Sequence, residues 1–228
     1  MLTERFAKND HKGFADLFIK SVNVVILVAV PLVFGLAALS TPLVKLTLQH
    51  GKFDTVATIN TALCLKYLAF SALGYSLIDI LSKVFYSTRN TITPMINGFV
   101  LITLNIIFIA LLAPRFGVVG LALASTFSVT IIALIMIVEL KVKLNSIKFR
   151  KIAEVFIKSL IAGVLMMLVV NISYKGISIF MPKDTVVLLS VKILLVAIIG
   201  AICYALTLAM LRVKELEFIL SFKSLKKR

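Results

Sequence analysis

The chain has 228 residues, 61% of them apolar and only 15% charged, with a mean hydropathy of +1.09; a soluble domain is closer to half apolar and a quarter charged. Twenty-five Lys and Arg against ten Asp and Glu leave a net charge of +15. Disorder, a collagen-like repeat and a disulfide scaffold are excluded, and basic residues placed between long apolar runs point to anionic lipid and topology rather than to nucleic acid.

A spanning helix takes about 20 mostly apolar residues, and six runs qualify. Ser21 to Val44 carries no charge. Its flank is long, its apolar core exceeds a signal-peptide core and five more spans follow, so a cleaved signal is not expected. Val56 to Phe85 is apolar but holds Lys66, Asp79 and Lys83. Asn90 to Pro114 and Phe116 to Val138 are uncharged, Val155 to Tyr174 has Lys158 near its start, and Val186 to Leu211 has Lys192. The expected fold class is all-α, a polytopic membrane bundle of six transmembrane helices. Pro31, Pro42, Pro94 and Pro114 fall within or at the ends of spans, where they kink or stop helices. No internal repeat is visible.

The flanks of the spans divide the basic residues unevenly. Segments 1–20, 83–90, 141–158 and 212–228 hold 18 Lys and Arg, whereas the alternate set, 45–55, 113–117 and 175–184, holds five. This asymmetry predicts both termini in the cytoplasm. The chain accordingly divides into an interfacial segment at 1–20, where Phe6, Phe14, Leu17 and Phe18 give an apolar face, and four transmembrane helices over 21–140. A basic cytoplasmic linker at 141–154, a final helix pair over 155–211 and a basic tail at 212–228 follow.

No Ser-His-Asp set, carboxylate pair or phosphate-binding glycine loop is present, so an enzyme is not expected. With only His11 and His50, and with Cys64 and Cys203 each inside an apolar run, neither a metal site nor a cofactor is expected; the thiols read as small hydrophobes. Intramembrane polar residues are then the functional candidates. Lys66 lies about ten residues into its span, roughly 15 Å deep at the helical rise. It suits either a water-filled cavity that accepts an anionic group or a snorkelling, paired lysine. Asp79 and Lys83 are spaced to pair on one face. Thr93, Asn97 and Asn105 form a stripe with Leu101, facing a polar interior or bonding between helices. With Ser125 and Thr126 of the next span, Asn105 offers oxygen ligands to a monovalent cation. Two rows of small residues, Gly120, Ala124 and Ser128, and Ala197, Ala201, Ala205 and Ala209, are expected to pack helices closely.

Three segments carry a family resemblance. Thr41-Pro42-Leu43-Val44-Lys45-Leu46, followed by His50-Gly51-Lys52-Phe53-Asp54 and Thr61-Ala62-Leu63, resembles an apolar-Pro-Leu run, an Arg-Gly-x-Phe and a helix opening on Thr-Ala. Phe85-Tyr86-Ser87-Thr88-Arg89-Asn90-Thr91-Ile92-Thr93-Pro94 resembles Phe-Tyr-Ala-x-x-Asp-Thr-x-Thr-Pro. Gly117-Val118-Val119-Gly120-Leu121-Ala122-Leu123-Ala124-Ser125 resembles Gly-x-x-Gly-Leu-Ala-Leu-Ala-Thr. In order and spacing these are similar to the lipid II flippase family, MurJ or MviN, from about residue 1 to 140. His50 replaces the family's Arg and Asn90 its Asp; both lie at helix ends, so altered capping is expected rather than altered activity. The family has two six-helix lobes and a final pair, and the chain resembles only the last six helices. The resemblance implies the C-terminal portion of a flippase of lipid-linked peptidoglycan precursor in the bacterial inner membrane. It would work by alternating access and be inactive without the missing N-terminal helices. It also implies a hydrophobic groove along the last two helices, suited to a lipid tail. The implied partners are membrane lipids, a lipid-linked saccharide and a separate chain supplying the N-terminal helices; no nucleic acid is expected. A related exporter of other lipid-linked polysaccharides or drugs, and a non-transport assembly partner, are the alternatives.

Overall fold

A computed structural model describes residues 11–49, 54–143, 149–181 and 185–213. They form seven helices and, among the described residues, no strand: α1 (His11–Ala38), α2 (Ser40–Leu48), α3 (Thr55–Ser87), α4 (Ile92–Phe116), α5 (Val118–Lys143), α6 (Phe149–Phe180) and α7 (Val186–Met210). All but α2 are long and apolar enough to cross a membrane. A helix satisfies most of its backbone polar groups within itself, so such segments suit the bilayer's demand that no unbonded polar backbone face lipid. The chain is a multi-pass membrane protein.

The helices pack as a curved row in the order α4, α5, α3, α1, α6, α7, while α2 folds back to touch α3 and α7. The long side of α1 supplies the middle of the core. Phe14, Phe18, Val22, Ile26 and Val30 recur at one-turn spacing and are all buried. Residues 11–20 are thus the opening turns of a spanning helix, with Phe14 and Phe18 in the core; residues 1–10 lie outside the described residues. The first span also ends earlier than its apolar run. Pro42 has no N–H, and its ring crowds the carbonyl four residues back, so the helix breaks at Leu39 and restarts as α2 with Pro42 in its first turn. At the other boundary, α5 runs on to Lys143 and α6 starts at Phe149. Most of the 141–154 segment is therefore helical, and 144–148 lies outside the described residues.

Small residues set the spacing at one seam and fail to at another. Gly120, Ala124 and Ser128 are buried in α5. A Cβ on Gly120 would lie 2.4 Å from the Leu112 carbonyl oxygen, so α4 and α5 approach backbone to backbone there. Gly117, between them, adopts φ +57° and ψ −134°, a region open essentially to glycine alone, and this allows a one-residue reversal. On α7 the expected alanine row is not the packed one. Ala201, Ala205 and Ala209 are exposed, and the buried row is Val196, Gly200, Tyr204 and Leu208. That row lies one residue, or about 100° of helix, away from the alanines.

Candidate functional site

The polar residues of the middle helices meet along two seams. On α4, Asn97 is 4% exposed, and its Nδ2 donates to Glu139 Oε2 of α5 at 2.7 Å. Two turns further on, Asn105 Nδ2 donates to Ser125 Oγ at 3.3 Å. The next residue, Thr126, turns the other way: its hydroxyl donates to the carbonyls of Tyr67 on α3, at 2.8 Å, and of Ala122. Adjacent positions on a helix project about 100° apart, so Asn105 and Ser125 come together while Thr126 bonds to the neighbouring seam. Thr93 belongs to the helix start, where Asn90 Oδ1 accepts from its N–H and Asn90 Nδ2 donates to its hydroxyl. An Asn there keeps the acceptor an Asp would supply. His50 lies outside the described residues.

Lys66 is half-buried on α3, one residue before the Tyr67 carbonyl that takes the Thr126 hydroxyl, and it has no ion pair among the described residues. Asp79 and Lys83 do pair, at 2.6 Å, on the exposed side of α3, about 20 Å along the helix from Lys66. The structure therefore does not gather Lys66, Asp79, Lys83, Asn97 and Asn105 into one pocket; it spreads them along the α3, α4 and α5 surfaces. Among the described residues no three His, Cys, Asp or Glu side chains converge as a metal site, and both cysteines are free and half-buried.

Three features escape a reading of the sequence. Glu139 sits 42 residues from Asn97, and only the unsatisfied amide of Asn97 hinted at a partner. The buried Tyr204 hydroxyl of α7 donates to the Leu27 carbonyl of α1 at 3.1 Å, and Asn23 of α1, Ser159 of α6 and Lys192 of α7 are wholly buried. The third is a cavity of about 310 Å³ enclosed by α1, α3, α5 and α6. Its walls include Phe18, Phe70, Leu77, Leu134 and Phe156, with Thr130 the single polar side chain on its lining. It sits at the end of the bundle where α1 and α6 begin and α3 and α5 finish.

A sequence model of the family described as lipid II flippase MurJ matches residues 1–196. The chain belongs to the MurJ lipid II flippase family. The match runs past residue 140, through α6 and into α7. The lipid II flippase MurJ of Thermosipho africanus is 27% identical over 120 residues, 53% of this chain and 25% of that protein. The probable lipid II flippase MurJ of Haemophilus influenzae is 32% identical over 146 residues, 64% of the chain and 28% of its own length. That of Thermotoga maritima is 26% identical over 210 residues, 92% of the chain and 40% of its own. A solved structure titled lipid II flippase MurJ, inward closed conformation, superposes with a TM-score of 0.68 at 20% identity, covering 92% of this chain and 42% of that one. It has the same helical fold. The chain spans between a quarter and about two fifths of the length of these MurJ proteins.

Proposed function

We propose that the chain is the C-terminal part of a lipid II flippase, which carries lipid-linked peptidoglycan precursor from the inner to the outer leaflet of the bacterial inner membrane. Both termini would lie in the cytoplasm. The observation that carries this reading is the family match over residues 1–196 on a six-span bundle. Alternating access needs two bodies that rock about a site between them. The chain supplies only part of one such body and the closing pair, so by itself it is inactive. The remaining helices come from a longer form of the protein or from a separate chain. Within this reading Lys66 presents the cation toward the anionic part of the precursor, Asn97 and Asn105 line the polar side, and Asp79 with Lys83 sits at the cytoplasmic mouth. A coupling cation would draw oxygens first from Asn105 and Ser125, which already touch; Thr126 would join only by leaving the Tyr67 carbonyl.

The test is complementation of a flippase-depleted bacterium. The chain alone should not restore growth. The chain fused behind the preceding helices of the Thermotoga maritima relative should restore it and clear the accumulated lipid-linked precursor. Rescue by the chain alone would overturn the two-body requirement. A fusion that reaches the membrane while the precursor stays high would overturn the lipid II reading.

A further inference from the structure

We propose that the cavity between α1, α3, α5 and α6 is a lateral binding site for an anionic phospholipid, one acyl chain filling the cavity and the phosphate resting at its mouth against Arg150 and Lys151. Helical interiors are close-packed, with few voids larger than a water molecule. A volume of about 310 Å³ is about twice that of an engineered apolar cavity, about 150 Å³, that stays dry and admits benzene. Water has almost nothing to bond to here, because Thr130 is the only polar lining side chain. In a bilayer the available apolar filler is a lipid chain.

The cavity has a way in. Thr130 and Leu134 on α5 and Ala153 on α6 line it and are also exposed. Among the described residues α5 and α6 form no packed helix pair. The mouth therefore lies between these two helices and faces the surrounding membrane sideways. α7 contributes no lining residue, so this is not a groove along the last two helices.

Charge at the mouth selects the headgroup. Phe149, Ile152 and Ala153 line the cavity, and Arg150 and Lys151 between them are exposed, within one helical turn of it. Across the gap α5 ends on Lys141 and Lys143, both exposed. Of the carboxylates at this end, Glu154 is engaged with Lys158 at 2.6 Å, Glu139 with the Asn97 amide and Asp79 with Lys83, which leaves the exposed Asp16 at the start of α1 against these four basic side chains. An anionic lipid thus meets cations at the depth where its phosphate sits, a match a zwitterionic lipid shares only in part.

The proposal rests on the membrane-spanning bundle and not on transport. Native mass spectrometry of the purified full chain, incubated with phosphatidylglycerol or with phosphatidylcholine of the same acyl chains, tests it. The phosphatidylglycerol adduct should be retained at least ten-fold better. Arg150→Gln with Lys151→Gln should weaken that adduct about thirty-fold, the effect of two basic side chains on an anionic surface, and erase the preference. Ala153→Phe should fill the mouth and abolish both adducts with the helical circular dichroism unchanged; the smaller Ala153→Leu serves if that variant loses helix. Equal retention of the two lipids, no retained lipid at all, or an adduct that survives the filling variants would overturn the proposal.

Discussion

Asn97 ties α4 to α5 through a carboxylate, and most of what α4 contributes to the bundle passes through that seam. Interhelical hydrogen bonds in membranes average about 0.6 kcal/mol and reach about 1.7, while bonds to charged groups in proteins reach about 1.5–3 kcal/mol. Asn97→Ala is therefore expected to destabilise the bundle by about 1–2 kcal/mol, since it also strands the Glu139 oxygen. Glu139→Gln keeps an acceptor in place and should lose less than about 1 kcal/mol. Unfolding in mixed micelles measures both, and equal losses would remove the carboxylate's special part. Lys66 is a different case, being half-buried with no carboxylate beside it among the described residues. In the rescuing fusion, Lys66→Met should abolish rescue and Lys66→Arg retain it at equal membrane levels. Retention by both would reduce Lys66 to a snorkelling side chain.

Pro31 stands inside α1, so the helix has no N–H to offer the carbonyl four residues earlier, that of Leu27. Tyr204 of α7 fills the gap, donating to the Leu27 oxygen at 3.1 Å. A proline in one helix is thereby answered by a tyrosine 173 residues along the chain. Tyr204→Phe should cost about 1–3 kcal/mol, the penalty for an unsatisfied buried carbonyl. In a Pro31→Ala background, where the helix supplies its own N–H, that cost should fall by at least half; the same cost in both backgrounds would break the link. Glycine positions divide in the same physical way. Gly120→Ala drives a methyl into backbone at 2.4 Å and should cost about 1–3 kcal/mol. Gly98→Ala meets nothing within 4 Å and should be neutral or stabilise by up to about 1 kcal/mol. The six spans were legible from hydropathy because the bilayer enforces length and composition. The Asn97–Asn105 stripe was legible because polar residues at one-turn spacing stand out on an apolar helix. The facing of α7 was not: it is apolar all round, so its hydropathy carries no direction, and the alanine row gave a setting about 100° off. Glu139 and Tyr204 were hidden because their partners are remote in the chain, and the cavity because a void between four helices has no pattern in any one of them.

At the scale of the whole molecule, coverage varies along the row of helices and charge varies across the membrane. α1 is the most enclosed span and α4 the least, packed on α5 and otherwise apolar and uncovered. A row with one bare end suits a body that borders other helices, consistent with a chain spanning a quarter to two fifths of its relatives. Across the membrane, 18 basic residues flank one set of span ends and five the other. The cavity mouth, the Asp79–Lys83 pair and the Asn97–Glu139 bond all lie toward the basic end. Their functional meaning depends on which side that end occupies. The positive-inside rule predicts that it faces the cytoplasm, where an anionic leaflet would attract the basic side chains. Thr47, exposed at the end of α2, and Lys143, exposed at the end of α5, lie at opposite ends of the bundle. In a Cys64→Ala and Cys203→Ala background, Thr47→Cys should react with a membrane-impermeant maleimide in intact cells, and Lys143→Cys only after permeabilisation. The reverse pattern would turn the bundle over and move the phospholipid site to the outer leaflet. It would also bring Lys66, 11 residues from the start of α3 and 21 from its end, to the cytoplasmic side of the midplane, so this labelling decides the direction in which every residue of the candidate site is to be read.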